Sequence, residues 1–282
     1  MMRAAVAALA GLLVAAAAQG QGNETFVYDP YVPTPQAIVD RMLALAEVGA
    51  SDLVVDLGSG DGRIVITAAK QFGARGLGVE IDRSLIAQAE AAARREGVAD
   101  RVRFVARDLF DADLREATVL TLYLLPETNR KLLPKILAEM PPGARVVSHR
   151  FLVGDWRPDA TVVVDAEDDW TAFHSDRKLH LFRVPARVAG EWALERDGGA
   201  GAFRLSLGQT QQFIGGSAAA GAARVDLERA VLDGRDIRFV VPGVGPIAGD
   251  YAGKVDGDVM TGYLVGDDQA RWRAVRRRGG ER

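Results

Sequence analysis

The segment Leu53-Val54-Val55-Asp56-Leu57-Gly58-Ser59-Gly60-Asp61-Gly62 constrains the fold more than any other part of the chain. An apolar strand carries an acid toward its end. Three glycines in the next five positions leave no Cβ to obstruct a tight bend or the close approach of a ligand. Open parallel sheets bind ligands beyond the carboxyl ends of their strands, which is where such a bend falls. Taken alone, a Gly-x-Gly turn serves equally well as a βα connection that binds nothing.

The flanking pattern supplies the sheet. Residues 53–57 read as a buried strand, 63–71 as a helix, 76–80 as a second strand and 84–96 as an Ala-rich helix closed by Gly97. Residues 102–105, 119–123 and 145–148 continue as strands three to five. Leu132, Leu133, Ile136, Leu137 and Met140 mark one face of the helix before the fifth strand, which Pro141-Pro142-Gly143 stops. Strands alternating with helices predict a mostly parallel sheet covered on both faces. Residues 161–165 and 179–184 supply a final antiparallel pair. Ahead of the sheet, three prolines between Phe26 and Pro35 favour an extended arm. Thr34 and Pro35 are placed to cap and open a helix bearing Ile38, Val39, Met42, Leu43 and Ala46, which is expected to end near Gly49.

After Pro185 the period changes to two. Apolar residues alternate at Trp192/Leu194, Phe203/Leu205/Leu207, Val225/Leu227, Ile237/Phe239/Val241, Tyr251/Val255 and Trp272/Ala274, with Asp197-Gly198, Asp233-Gly234 and Asp256-Gly257 as turns. The predicted organisation is an α/β domain over residues 23–185 and a small antiparallel β domain, sandwich or barrel, over 186–282 with a basic Arg276-Arg277-Arg278 tail. The boundary falls at Val184-Pro185-Ala186.

With 282 residues, 48% of them hydrophobic, there is material for two packed cores. A formal net charge of −3 disfavours a whole-chain nucleic-acid binder, and no nucleic-acid partner is expected. The chain has no cysteine, which removes disulfides, thiolate nucleophiles and Cys-ligated zinc; three histidines leave little for a metal site. It contains no Gly-x-Ser-x-Gly elbow, no His-Glu-x-x-His and no P-loop.

Two further acids extend the first. Glu80 ends the second strand, where a carboxylate accepts hydrogen bonds from both hydroxyls of a ribose. Asp108, followed by Leu109-Phe110, ends the third strand and offers a polar tip and apolar walls to an adenine. A dinucleotide fingerprint requires a third glycine at position 63, which is Arg63 here. Asp56 and Asp61 suit a cationic amine better than a pyrophosphate, as in the methionine portion of S-adenosylmethionine (SAM).

The run from Tyr31-Val32-Pro33 through Asp56-Leu57-Gly58-Ser59-Gly60-Asp61-Gly62-Arg63-Ile64-Val65 to Arg145-Val146-Val147-Ser148-His149-Arg150-Phe151 resembles class I SAM-dependent methyltransferases. More narrowly it resembles the mitochondrial lysine methyltransferases that act on the ATP synthase c subunit and the adenine nucleotide translocase. The likeness covers roughly residues 28–184. It implies a Rossmann-like seven-stranded fold, SAM as cofactor, and a lysine amine among the acceptors. Asp56, Gly58, Gly60, Glu80 and Asp108 would line the cofactor. The β domain is a departure from that family and leaves the macromolecular substrate open.

The acceptor loop of this superfamily follows the fourth strand, where this chain has Tyr123-Leu124-Leu125-Pro126-Glu127. Adenine and glutamine amino-methyltransferases carry Asn/Asp-Pro-Pro-Tyr/Phe there, so DNA and glutamine N-methylation are disfavoured. Tyr31, Tyr123 and Glu127 are the acceptor-side candidates. Packing of Tyr31 on the first helix and capping of the next helix by Glu127 are equally good readings. His149, His174 and His180 read as structural, and Trp170 and Phe173 as packing at the edge of the core.

Met1-Met2-Arg3, the apolar run 4–18 and Gln19-Gly20-Gln21-Gly22 fit a secretory signal peptide over residues 1–22, with a periplasmic or secreted product. An uncleaved anchor facing the cytoplasm is the alternative, with membrane association through the N-terminus. The expected activity is methyl transfer from SAM to an amine, with a protein lysine as the substrate favoured. The competing readings are an exported, non-catalytic binding protein on a Rossmann scaffold and a small-molecule methyltransferase.

Overall fold

The structure is a computed structural model describing residues 31–164, 177–197, 202–243 and 245–277. The expected signal or anchor segment 1–22, together with residues 23–30, Trp170, Phe173, His174, Gly198 and Arg278, lies outside the described residues. Among the described residues no helix is long and apolar enough to cross a membrane.

Helix α1 (Gln36–Leu45) precedes β1 (Leu53–Leu57), α2 (Arg63–Phe72), β2 (Arg75–Glu80), α3 (Arg83–Arg95), β3 (Val102–Ala106), β4 (Val119–Leu122), α4 (Pro126–Glu139), β5 (Arg145–His149), β6 (Ala160–Val163) and β7 (Lys178–Arg183). The seven strands form one sheet in the order β3-β2-β1-β4-β5-β7-β6. β1 to β5 are parallel, whereas β7 runs antiparallel to both β5 and β6. Successive side chains of a strand point to opposite faces. Val54 therefore joins Met42, Leu43, Ile64, Val65 and Ala93 under α1, α2 and α3. Val55 and Leu57 join Leu120, Leu132, Leu133 and Ile136 under α4. The chain changes face between β3 and β4, so strand order reverses between β1 and β4 and a crevice opens at their carboxyl ends.

The opposite ends of these strands are pinned by charge. Asp52 accepts hydrogen bonds from the Gly49 N–H (2.8 Å) and the Thr118 hydroxyl (2.7 Å), and pairs with Arg145. Burial would push its carboxyl up, but the Gly49 and Thr118 hydrogen bonds and the Arg145 charge outweigh burial and hold it below the usual carboxylate range. One acid thus ties together the starts of β1, β4 and β5.

Helix boundaries differ from the sequence-based expectation for local reasons. Thr34 does not cap α1: Pro35 is the cap, extended at φ −55 and ψ 144, and its carbonyl accepts the N–H groups of Ile38 and Val39 at 3.0 Å. α1 ends at Leu45, before Glu47 takes a left-handed φ of 51. α3 opens at Arg83 because the Asp82 carboxylate accepts the Ser84 N–H at 2.7 Å.

Residues beyond β7 form a second sheet: β8 (Gly190–Arg196), β9 (Phe203–Thr210), β10 (Phe213–Ala220), β11 (Ala223–Asp226), β12 (Glu228–Asp233), β13 (Asp236–Val241), β14 (Gly249–Asp256), β15 (Val259–Leu264) and β16 (Asp267–Arg276). Its order is β11-β10-β9-β8-β16-β15-β14-β13-β12, antiparallel throughout. Only Leu227 separates β11 from β12, and its N–H still donates to the Gly216 carbonyl of β10 at 2.9 Å, so β12 starts beside the opposite end of the sheet and the barrel is nearly closed. The interior holds Trp192, Phe239, Tyr251 and Trp272, with the Phe239 and Tyr251 rings stacked at 5.0 Å. Gly253 and Gly262 are required there, because a Cβ at either would sit 2.5 or 2.7 Å from the Trp272 ring. β10, whose Phe-Ile-Gly-Gly-Ser-Ala-Ala-Ala sequence lacks strand propensity, was invisible to alternation.

The two sheets are joined by specific polar contacts. Arg187 reaches the Leu137 and Ala138 carbonyls at the end of α4, and Arg183 of β7 lies 3.9 Å from Asp233 of β12. The Gln211 amide donates to Asp155 at 2.9 Å, and the Gln212 amide to the Arg157 carbonyl at 2.6 Å.

Candidate functional site

A cavity of about 530 Å³ lies at the carboxyl ends of β1 to β4, within the size range of small-molecule sites. Tyr31, Asp56, Gly58, Glu80, Asp108 and Tyr123 all line it, so six of the eight residues singled out from sequence meet in one place. Gly60 lies just beneath the wall: a Cβ there would stand 2.3 Å from Tyr31 Cε2, so the Tyr31 ring rests directly on the glycine. Glu127 is not brought to the cavity. It sits in the first turn of α4, where Arg130 holds both its carboxylate oxygens at 2.9 and 2.6 Å. The helix-start reading of Glu127 therefore describes its place better than an acceptor role does.

The bend works through backbone geometry. Gly58, Gly60 and Gly62 have φ of 74, 53 and 78, a region costly for any residue with a Cβ. The Gly58 and Ser59 N–H groups donate to the Val79 carbonyl, and the Gly60 N–H donates to Glu80 Oε2 at 2.9 Å. Glu80 Oε1 accepts from Ile81 (2.8 Å) and Asp82 (3.0 Å). A carboxylate offers about four acceptor positions. Three are taken by backbone, which leaves room at Oε2 for one ribose hydroxyl rather than two. Asp108 is two residues past β3; its Oδ1 accepts the Phe110 N–H at 2.9 Å and fixes the Leu109–Phe110 turn that walls the cavity.

Asp56 is 4% exposed. Burial pushes its carboxyl up to about 7; the Thr121 hydroxyl, donating at 2.7 Å, pulls it down, and the charges of Glu80 and Asp61 push it up further. Thr121 carries no motif. It reaches Asp56 because β1 and β4 pair Asp56 with Thr121 in register.

Asp61 does not stay free for a cationic amine, as its sequence position suggested. The Arg63 guanidinium takes both of its oxygens, Nε at 3.0 Å to Oδ1 and Nη2 at 2.6 Å to Oδ2. Burial opposes ionisation of Asp61, but Arg63 overcomes it and keeps the carboxyl below its ordinary range. Arg63 Nη1 also donates to the Thr34 carbonyl at 2.9 Å. The residue that replaces a dinucleotide-type glycine therefore clasps the Tyr31–Thr34 arm to the bend. Burial and then the Asp61 charge raise the Tyr31 phenol above its usual value.

Tyr123 packs against His149 with ring centroids 4.2 Å apart. His149 is 2% exposed, and the Nδ1 of His180 lies 2.9 Å from the Thr161 hydroxyl, so both fill the core as expected. Ser59, Arg63, Thr128 and Lys131 are among the further wall residues that were not anticipated as site residues. The Ser59 hydroxyl oxygen is buried with no hydrogen-bond partner among the described residues. A buried hydroxyl in need of a partner, a buried carboxylate with no cation in contact, and two acid-ended strands around an apolar wall fit an adenosine linked to a cationic amino acid.

Comparison with known proteins agrees with that chemistry. The model of the ANTKMT methyltransferase domain matches residues 56–160. The protein-lysine N-methyltransferase of Saccharolobus islandicus (strain REY15A) is 47% identical over 137 residues, covering 48% of this chain and 85% of that protein. The adenine nucleotide translocase lysine N-methyltransferase of Mus musculus is 39% identical over 142 residues, 50% of this chain, and the match spans 61% of the mouse enzyme. The crystal structure of an RNA methyltransferase from Salinibacter ruber in complex with S-adenosyl-L-homocysteine superposes with a TM-score of 0.50 at 50% identity, covering 56% of this chain and 96% of that one. With a cavity of this chemistry at the switch point of its first sheet and 47% identity over 85% of the Saccharolobus protein, the chain belongs to the SAM-dependent methyltransferases, in one family with that protein-lysine N-methyltransferase.

Proposed function

We propose that the methyl acceptor is the ε-amine of a lysine in a protein substrate. The observation that carries this reading is the 47% identity to a protein-lysine N-methyltransferase over 85% of its length. The acceptor wall is consistent with it. Leu124 Cδ2 lies 3.0 Å from where a Cβ of Gly58 would be, so an apolar side chain closes over the glycine bend beside Tyr123 and Thr128. An amine entering there loses water, and desolvation favours its neutral, nucleophilic form.

Bound in this cavity, SAM supplies an electrophilic methyl group on a sulfonium. In this reading Asp56 holds the cationic amino group, Glu80 one ribose hydroxyl, and Asp108 with Leu109 and Phe110 the adenine. The Tyr31 arm, clasped by Arg63, excludes water from the methyl. Tyr123 borders the acceptor's path. Holding amine and methyl in line at contact distance is the main service the residues perform, because displacement at a sulfonium needs little covalent help.

The Salinibacter protein, described as an RNA methyltransferase, favours RNA as the second reading. Full-length protein incubated with SAM and either lysine-bearing protein extracts or total RNA separates the two. Mass spectrometry should find methyl-lysine in the protein arm and no methylated nucleoside in the RNA arm; the reverse pattern overturns the lysine assignment. The barrel is proposed to select the substrate. Residues 1–22 are proposed as an export or anchoring segment: N-termini beginning near Gln19 to Gln21 would support cleavage, and Met1 an anchor.

A further inference from the structure

The chain contains five lysines, Lys70, Lys131, Lys135, Lys178 and Lys254, among 35 basic residues. Lys70 is paired with Glu96 at 2.8 Å, Lys135 with Glu139 at 2.7 Å and Lys254 with Asp236 at 2.6 Å. Lys178 opens β7 and is not part of the cavity wall. Lys131 differs from all four. It lines the cavity, and it makes no hydrogen bond or ion pair among the described residues. The acid nearest along α4, Glu127, has both oxygens engaged by Arg130 and interacts with Lys131 through charge without a hydrogen bond. Residues three apart on a helix share a face, so Lys131 and Thr128 present side by side to the space bordered by Tyr123 and Leu124.

We infer that Lys131 is a self-methylation site, an acceptor amine carried by the enzyme on the wall of its own cofactor cavity. The inference rests on the methyltransferase reading and names a substrate for it. The four-carbon stem and exposed position give Nζ freedom to turn inward. There the neutral amine, its proton released to water, donates its lone pair to the methyl carbon. The carbon–sulfur bond breaks as the new carbon–nitrogen bond forms, and its electron pair stays on sulfur, which leaves as the neutral thioether S-adenosylhomocysteine. The methylated amine carries the positive charge formerly on the sulfonium and can lose a further proton for another round. No outside oxidant, reductant or base is consumed.

Two measurements test this on the full chain. First, limiting acetic anhydride is applied with and without S-adenosylhomocysteine, and labelling of the five lysines is read by peptide mass mapping. Lys131 should react ahead of the paired lysines and be protected several-fold by the ligand; unchanged labelling under conditions where calorimetry shows binding overturns the inference. Second, protein incubated with SAM should gain one to three methyl groups confined to the Lys131 peptide, at a rate per molecule unchanged by tenfold dilution. Lys131→Arg, which keeps the charge, should melt like the parent and gain none. A rate that falls in proportion to dilution overturns the intramolecular assignment. An unmodified Lys131 in SAM-binding protein overturns the inference alone, whereas failure to bind either compound overturns it together with the methyltransferase reading.

Discussion

The Gly60 N–H donates to Glu80 Oε2 at 2.9 Å, so the glycine bend after β1 is shaped by the acid that ends β2. The same carboxylate holds the Ile81 and Asp82 amides, and a ligand hydroxyl would be its fourth partner. Truncation to Glu80→Ala removes the ligand contact and frees three amides at once. Hydrogen bonds to a charged group are worth about 1.5–3 kcal/mol each, so loss of the ribose contact alone corresponds to a 10- to 100-fold rise in the SAM Kd. Glu80→Gln, which keeps one carbonyl acceptor, should fall between the two. Calorimetric titration with SAM checks both; an unchanged Kd in Glu80→Ala would remove this acid from the binding site.

Asp56 makes both stability and binding depend on pH. Its carboxyl stands at about 7 in the folded chain against an ordinary 3.8, chiefly through burial. Between those values the folded state keeps a proton that the unfolded state has lost. Stability therefore declines as pH rises from about 4 to 7 and is level above. Asp56→Asn, which can still accept from Thr121, should melt higher than the parent at pH 8 and much like it at pH 4. Cation binding acts in the opposite sense, because it requires the ionised form. SAM affinity should rise by about tenfold per pH unit up to 7 and then level off, and in Asp56→Asn this slope should vanish. Melting curves and titrations from pH 5 to 8 read both effects. A parent protein with a flat affinity profile would contradict the assignment.

Gly60 and Tyr31 test the arm. Alanine at Gly60 must hold a φ of 53, at about 1–2 kcal/mol, and its Cβ would also overlap the Tyr31 ring at 2.3 Å. The expected result is a Tm lower by several degrees, at roughly 2–4 °C per kcal/mol, and a displaced arm. Introducing the same alanine into a Tyr31→Ala background should cost less, because only the backbone strain remains. The difference between the two costs, read from melting curves, is the coupling between arm and bend. Full additivity would mean that the ring does not rest on the glycine.

The bend, its acids and the strand order were legible because a buried strand, a glycine turn and a strand-end carboxylate are all local in sequence. The residues that complete the site were not. Thr121 reaches Asp56 through register, and Arg63, which holds its near neighbour Asp61, reaches the Thr34 carbonyl only because the arm folds back across the start of α2. Lys131 shares its chemistry with four other lysines and is distinguished only by what surrounds it. Glu127 shows the converse: its position after the fourth strand suggested a role, yet a neighbour three residues along the helix engages both of its oxygens.

Asp52 separates folding from binding. It joins the starts of β1, β4 and β5, at the end of the sheet away from the cavity, and holds Thr118 and Arg145. Its carboxyl is lower when folded, so its contribution is present at neutral pH and fades as pH falls through the folded value. Asp52→Ala leaves Arg145 without its partner and should cost about 2–4 kcal/mol near neutral pH, with a smaller difference from the parent in acid. Denaturant unfolding at pH 7 and pH 3 reads this. SAM binding to the folded fraction should be unchanged, since Asp52 does not line the cavity.

The barrel can be tested by removal. Among the described residues none after β7 lines the cavity, yet Arg187 covers the end of α4, and Gln211 and Gln212 hold the stretch around Asp155 and Arg157. A chain ending at Pro185 loses these bonds and should melt several degrees lower, while the SAM Kd stays within about threefold because every wall of the cavity remains. Methylation of a protein acceptor should fall far more than methylation of a short lysine peptide if the barrel selects the substrate. Parallel rates on both acceptors, expressed per SAM-competent molecule, read this directly. An equal fall on the two would make the barrel a support for α4 rather than a selector.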